Sequence, residues 1–261
     1  MSGTATETEP ARALLARLCD DLVDLPGGWT SSDPLEWPGY REQLERAALR
    51  SGETESVIAA TATIAGTPVV ALAFDFRFLG GSMGEATGRR IVAALRHAFE
   101  ARLPVVSFVA SGGARMQEGM RSLVQMQEIA AAVARLRAGG IPHLSVLRHP
   151  TTGGVWASFA ATADVIVAMR GGIVSFAGPR VRGDEHELDA AFTAEGKVAA
   201  GFADRVVDAV ELPDVLARYV GLLGRALRQG AVGAPAPCGA DAAREPSRGG
   251  WETVVAARDA A

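Results

Sequence analysis

Two glycine pairs, each placed between an apolar run and a helical run, are the features of this sequence best suited to chemistry. The first pair, Gly112 and Gly113, follows the strand-like run Val105–Ala110 and Ser111. The first backbone N–H groups of a helix have no partner within that helix, so such a turn can bind an anion or a carbonyl oxygen. Glycine allows a ligand to approach closely because it carries no Cβ.

The second pair, Gly153 and Gly154, follows the apolar run Ile141–Leu147 and precedes Val155. Turns from successive strand–helix units can each direct one N–H group at the same carbonyl oxygen. Two such donors would favour the enolate of a thioester, and one donor contributes roughly 3 kcal/mol in a transition state. Either pair alone is more typical of a tight turn, so the residues by themselves leave a purely structural role open.

The remaining polar residues match no metalloprotease or nucleotide-binding pattern. The sequence contains no H-E-x-x-H, dinucleotide-binding or P-loop motif. Ser111 has no base near it in sequence. The histidines show no metal-ligand spacing, and a loop role is favoured for the one nearest a glycine turn, His149; the set is His97, His143, His149 and His186. A mechanism that uses backbone donors and no protein base therefore fits best.

Composition indicates a globular protein with one large domain. The 261 residues are 48% hydrophobic and 21% charged, and the net charge is -4. The acidic balance argues against nucleic acid as a partner. The polar N-terminus and the absence of an apolar run of about 20 residues predict a cytoplasmic protein without a membrane partner. Cys19 and Cys238 form no metal-ligand pattern, which agrees with a reducing compartment.

Alternating strand-like and helical runs predict an α/β fold. The predicted strands are Val57–Ala65, Pro68–Phe74, Val105–Ala110, Ile141–Leu147, Asp164–Ala168 and Gly172–Phe176. The predicted helices are Arg12–Leu25, a short one before Arg50, Ala86–Ala101, Gln117–Ala138 and one from about Glu211 to Arg228. We expect an N-terminal helix within residues 1–28, a catalytic domain over 29–229 and a flexible tail over 230–261.

The helix predicted over Gln117–Ala138 carries an apolar stripe that we expect to face the core. Its members recur at helical spacing: Met116, Met120, Leu123, Ala130 and Ala134.

Four blocks of sequence, in order, resemble the carboxyltransferase beta subunit of bacterial acetyl-CoA carboxylase. They are Phe74–Gly84, Ala110–Gly119, His149–Val155 and Phe176–Val181, and the resemblance covers roughly residues 33 to 212. It implies a crotonase-like (ClpP/crotonase) spiral of repeated ββα units.

In that family, carboxybiotin on a carrier protein supplies CO2 and the biotin ureido nitrogen takes the α-proton of an acyl-CoA. The resemblance implies that the glycine turns hold the thioester, with Gly112, Gly113, Gly153 and Gly154 as catalytic residues. We expect the N–H groups of Gly113 and Gly154 to be the donors, with Gly112 and Gly153 as turn formers. It further implies a set of substrate-binding residues: Gly80, Gly81, Ser111, Arg115, Trp156, Gly178, Pro179 and Arg180. Biotin on a separate protein is the implied cofactor, with acyl-CoA as substrate.

The family site forms between two crotonase-like subunits. The resemblance therefore implies three partners, which are an alpha-type carboxyltransferase subunit, a biotin carboxyl carrier protein and a biotin carboxylase, and an α2β2 hetero-oligomer. Two alternatives stay open: a malonate-decarboxylase-type enzyme acting on an acyl thioester, and a non-catalytic scaffold paralogue.

The sequence departs from the family pattern at three places. Cys19 stands alone where the family commonly has a four-cysteine zinc ribbon, so we expect no metal on this chain. The stretch between Val181 and Phe192 is shorter and lacks the usual Leu-Pro-x-Gly-Phe-Gln pattern. Trp156 replaces a small residue, and it either packs in the core or lines the acyl pocket.

Overall fold

The computed structural model describes residues 9–176 and 190–229, in which strands and helices alternate as predicted. The strands are β1 (Asp20–Asp24), β2 (Val57–Ile64), β3 (Thr67–Phe74), β4 (Val105–Ser111), β5 (His143–Thr152), β6 (Val165–Met169), β7 (Val174–Ser175) and β8 (Arg205–Val207). The helices are α1 (Ala11–Leu18), α2 (Tyr40–Ser51), α3 (Glu85–Ala101), α4 (Met120–Ala138), α5 (Gly153–Ser158), α6 (Ala194–Ala199) and α7 (Leu212–Gln229). The predicted tail and the predicted binding residues Gly178, Pro179 and Arg180 lie outside the described residues.

The strands form one mixed sheet in the order β1-β2-β3-β4-β5-β6-β8, and β7 pairs with β5. The β1–β2 and β2–β3 pairs are antiparallel, whereas the pairs from β3 onward are parallel. Helices α3, α4 and α5 make the crossovers between the parallel strands. Because parallel strands end at the same edge of a sheet, β4 and β5 place Ser111 opposite Thr151 at that edge.

Both faces of the sheet are covered, which explains the continuous apolar runs of the central strands. Val105 and Val109 of β4 belong to a core cluster with residues of α3, α4 and α5. The alternate residues Val106 and Phe108 belong to a second cluster with residues of α1 and α7.

The helix predicted over Arg12–Leu25 ends early. Helix α1 stops at Leu18, Cys19 has extended backbone dihedral angles, and residues 20–24 form the strand β1. β1 pairs with the free edge of β2. Hydrogen-bonding partners that come from a distant strand therefore override the helical spacing of the leucines.

The prediction that the apolar stripe of α4 faces the core is wrong. Its members are exposed: Met116 (77% of its surface), Met120 (69%), Leu123 (45%), Ala130 and Ala134. The buried face of α4 consists instead of Ser122, Gln125, Ile129, Val133 and Leu136. The helix has two candidate faces, and its packing against α3 and the sheet selects the one with more aliphatic residues at its C-terminal half. None of the described helices is long and apolar enough to span a membrane.

Truncating one side chain on each face of α4 tests which face is buried. We expect Ile129→Ala to lower the free energy of unfolding by about 2–5 kcal/mol, because Ile129 is fully buried. Met120→Ala should change it by no more than about 0.5 kcal/mol. Chemical denaturation of both variants checks this, and equal losses would contradict the orientation of the helix.

Candidate active site

The two glycine turns predicted from the sequence touch each other. A Cβ built on Gly153 would lie 3.0 Å from the Cα of Gly113, and both glycines have positive φ angles, of 67° and 106° respectively. The Thr152 hydroxyl donates to the Ser111 carbonyl oxygen at 3.1 Å and links the ends of β4 and β5. Two backbones approach this closely only where neither residue has a side chain.

The loop that contains Gly80 and Gly81 supports the first turn through hydrogen bonds. The Gly112 N–H donates to the Gly80 carbonyl oxygen at 2.8 Å. The Met83 N–H donates to the Gly113 carbonyl oxygen at 2.8 Å. Gly81 is buried, and a Cβ on it would overlap the Ala110 carbonyl oxygen. These contacts give Gly80 and Gly81 a role in supporting the first turn, and their contact with substrate stays a prediction.

The hydrogen bonds of the first turn identify which N–H group is available to a ligand. The Gly113 N–H already donates to the Ser111 hydroxyl at 3.1 Å, and that hydroxyl donates to the Gly81 carbonyl oxygen at 2.6 Å. The next N–H group, that of Ala114, has no hydrogen-bond acceptor within residues 9–176 and 190–229, and Ala114 is half-buried. The prediction that Gly113 is the donor is therefore revised in favour of Ala114. Ser111 is buried and braces the turn.

The second turn presents the start of α5. This helix begins at Gly153, and the side chain of the preceding Thr152 makes no capping hydrogen bond to it. The N–H groups of Gly153 and Gly154 thus lie in the first helical turn, where no acceptor within the helix exists. A Cβ on Gly154 would overlap the side chain of Met126, so α4 packs directly on this turn. Trp156 is only 8% exposed and belongs to the core cluster, which supports its core interpretation over its pocket interpretation.

Arg115, predicted to bind substrate, is instead buried in a polar cluster. Its Nη2 lies 2.6 Å from Glu55 Oε1, and its Nη1 lies 3.2 Å from both Glu55 Oε2 and Glu118 Oε1. Its exposed fraction is 1%. Burial by itself would raise the pKa of Glu55, but the charge and hydrogen bonds of Arg115 outweigh it and lower that pKa below the usual 4.5.

Glu118 completes the cluster by accepting hydrogen bonds from several segments. The Tyr40 hydroxyl and the Glu85 N–H donate to its carboxylate, each at 2.5 Å, and the Ser31 hydroxyl donates at 3.1 Å. Glu55, Glu118 and Tyr40 are not among the site residues predicted from the sequence. Only Glu118, three residues after Arg115, gave any sequence signal, because the other two lie far away in the chain.

The histidines near the site make structural contacts. The Nδ1 of His149 accepts a hydrogen bond from the Ile173 N–H at 3.3 Å, and burial lowers the pKa of His149. His143 is buried against Ser107, whose hydroxyl lies 2.9 Å from its Nε2. Across the described residues, His, Cys, Asp and Glu side chains form no group of three that could hold a metal ion.

Proteins of known family resemble this chain in sequence and in fold. Residues 33–188 match the family model described as the carboxyl transferase domain. The chain superposes on a transcarboxylase 12S structure with methylmalonyl-CoA hydrolysis product bound, with a TM-score of 0.69 and 26% identity over 82% of this chain. It spans only 41% of that longer chain. A Pseudomonas malonate decarboxylase hetero-tetramer structure matches 64% of this chain and 67% of its own, with 27% identity and a TM-score of 0.58. The class defined by this fold and these paired turns is a crotonase-like carboxyltransferase, as the sequence predicted.

The sequence comparison is more specific. The acetyl-coenzyme A carboxylase carboxyl transferase subunit beta of Desulforudis audaxviator is 43% identical over 206 residues, which cover 78% of this chain and 75% of that protein. The chain therefore belongs to the family of acetyl-CoA carboxylase carboxyltransferase beta subunits. The predicted family and the predicted carboxyltransferase function are confirmed.

The contact between the two turns can be tested with one added methyl group. Gly153→Ala would place a Cβ 3.0 Å from the Gly113 Cα at a φ of 67°, and should push the turns apart. Because a displacement of about 1 Å can cost about 100-fold in rate, we expect a loss of kcat of that order. Steady-state kinetics of carboxyl transfer measure it.

Gly112→Ala is the matched control for this substitution. A Cβ there would lie 3.4 Å from the Gly80 carbonyl oxygen, in ordinary contact and without a positive φ. We expect near-normal turnover from this variant. Equal kinetics for the two variants, with similar melting temperatures, would show that the contact between the turns is unimportant.

Proposed function

We propose that this chain binds the thioester carbonyl of acetyl-CoA or another short acyl-CoA and stabilises its enolate in a biotin-dependent acyl-CoA carboxylase. The observation that carries this proposal is the contact between Gly113, the neighbour of Ala114, and Gly153 at the start of α5, where the N–H groups of Gly153 and Gly154 have no acceptor within the helix. Neutral backbone donors suit a neutral carbonyl oxygen that becomes negative during the reaction.

The proposed role of these donors is to stabilise charge as it develops. Loss of the α-proton moves negative charge onto the thioester oxygen, and each preorganised N–H donor lowers the energy of that state by roughly 3 kcal/mol. The Ala114 donor needs no reorganisation, because the first turn is already held by the Gly80–Met83 loop. When delivered by its carrier protein, carboxybiotin would supply both the carboxyl group and the base.

The chain offers no base of its own at the turns in the part that the structure describes. Glu118 and Glu55 are buried and paired with Arg115. The His149 Nδ1 accepts the Ile173 N–H. This inventory supports a reaction in which the proton acceptor comes with the second substrate.

An exposed apolar surface beside the first turn supports the need for a partner subunit. We call it the α4 apolar surface; it consists of Leu35, Met116, Met120, Leu123 and Val124, each between 42% and 77% exposed. The Leu35 side chain lies against Gly119, which precedes α4. Large exposed apolar side chains grouped in one region of the chain are typical of an interaction site. We assign it to an alpha-type carboxyltransferase subunit in a cytoplasmic α2β2 complex, which a biotin carboxyl carrier protein and a biotin carboxylase would serve.

Removing the Ala114 N–H tests the donor assignment. Ala114→Pro deletes this one hydrogen and leaves an apolar residue of similar size, so kcat should fall about 100- to 1000-fold. Ala114→Ser keeps the N–H and should retain turnover. Both complexes are assayed for carboxyl transfer, and their melting temperatures are compared. Normal turnover by folded Ala114→Pro would return the donor role to Gly113.

The complex as a whole is tested by reconstitution. We expect the purified chain alone to be inactive, and the chain with its alpha-type subunit to transfer a carboxyl group between biotin and a short acyl-CoA. A panel of acyl-CoAs identifies the substrate. Full activity from the isolated chain would contradict the partner assignment. Decarboxylation of a malonyl thioester that does not depend on biotin would contradict the proposed reaction.

A further inference from the structure

The guanidinium of Arg115 joins three segments that are far apart in the sequence. It forms a short ion pair with Glu55, which lies just before β2, and a second pair with Glu118, which lies just before α4. Its Nη2 also donates to the Ser82 carbonyl oxygen at 2.7 Å, and its Nε lies 3.2 Å from the Ser82 hydroxyl. The side chain therefore connects the sheet, the supporting loop and the start of α4.

The same residue holds the backbone next to the proposed donor. The Arg115 N–H donates to the Met83 carbonyl oxygen at 2.9 Å, and the Met83 N–H donates to the Gly113 carbonyl oxygen at 2.8 Å. Ala114 lies between these two hydrogen bonds and forms an isolated parallel β-bridge with Met83. Consequently the orientation of the Ala114 N–H is set by how firmly Ser82, Met83 and Arg115 are held together.

Stability alone does not account for a cluster of this kind. Three charged side chains that are each at most 2% exposed lose most of their hydration, and apolar residues of similar volume are often as stabilising. The cluster is well satisfied, since Tyr40, Ser31 and the Glu85 N–H also donate into it. Gly84 leaves space for the cluster, because a Cβ at this position would overlap the Glu118 carboxylate. What such a network adds is a single, directional geometry.

We propose that Arg115 is a positioning residue that orients the Ala114 N–H for the enolate, with Glu55 and Glu118 as its anchors. This inference rests on the proposed function. It predicts that weakening the cluster impairs the transition state more than the binding of acyl-CoA, because the donor matters most once charge has developed on the oxygen.

The decisive variant is Arg115→Lys, which keeps the charge but cannot bridge two carboxylates and Ser82 at once. In the complex with the alpha-type subunit we expect kcat to fall about 10- to 100-fold, while KM for the acyl-CoA changes far less. Faster amide hydrogen exchange over residues 111–115 should accompany the loss. Glu118→Gln, which keeps the shape of the anchor, should lower kcat in the same direction and decides the matter if Arg115→Lys does not fold.

Arg77→Lys is the matched control. Arg77 contacts the buried Asp75 through two nitrogens, at 3.1 and 2.8 Å, and also donates to the Ser51 carbonyl oxygen. The Arg77→Lys complex should lose thermal stability, and its kcat should stay nearly unchanged. Unchanged kcat in folded Arg115→Lys or Glu118→Gln complexes, or an equal kcat loss in Arg77→Lys, would overturn the positioning role. In either case carboxyl transfer by the wild-type complex would leave the proposed function intact, whereas an inactive wild-type complex would refute both.

Discussion

The contact between the backbones of Gly113 and Gly153 is the constraint on which the rest of this structure depends. It requires two parallel strands that end at the same level, and the pairing of β4 with β5 provides this. It also requires residues without Cβ atoms at both positions. The crossover helices α3 and α4 bring the chain back to the same sheet edge each time, so two turns separated in the chain by all of α4 and β5 become neighbours.

A turn with available N–H groups is not rigid by itself, and the surrounding chain supplies the rigidity. The Gly80–Met83 loop binds the first turn through backbone hydrogen bonds, and the Ser111 hydroxyl occupies the Gly113 N–H. The buried cluster of Arg115, Glu55 and Glu118 then fastens this loop to the start of β2 and of α4. Desolvation makes such a cluster costly, so its presence next to a proposed oxyanion donor agrees with a role in geometry.

Helix α4 has one face that packs in the core and one apolar face that is exposed. Its buried face packs on the sheet and on α3, while Met126 covers Gly154. Its outer face, with Met120, Leu123 and Val124, is apolar yet exposed, as is Met116 just before the helix. Such a surface near the proposed donor turns agrees with the proposed association with a partner subunit, and methionine side chains adapt readily to a partner.

Sequence alone determined much of this protein, because its strongest signals are local. Continuous apolar runs located the buried strands, and Gly112, Gly113, Gly153 and Gly154 marked the turns between strand and helix. The family was identifiable from the blocks around those glycines. Each of these signals depends on residues adjacent in the chain, where spacing and side-chain type are sufficient evidence.

Tertiary structure decided what depends on distant partners. Residues 20–24 became a strand because β2 had a free edge. The stripe of α4 turned outward because the competing face fits α3 and the sheet. The available N–H moved from Gly113 to Ala114 because Ser111 folds back onto its own turn. Arg115 became a buried brace because Glu55, 60 residues away in sequence, meets it in space. Local pattern carries no information about such encounters, since they follow from how the strands and helices pack together.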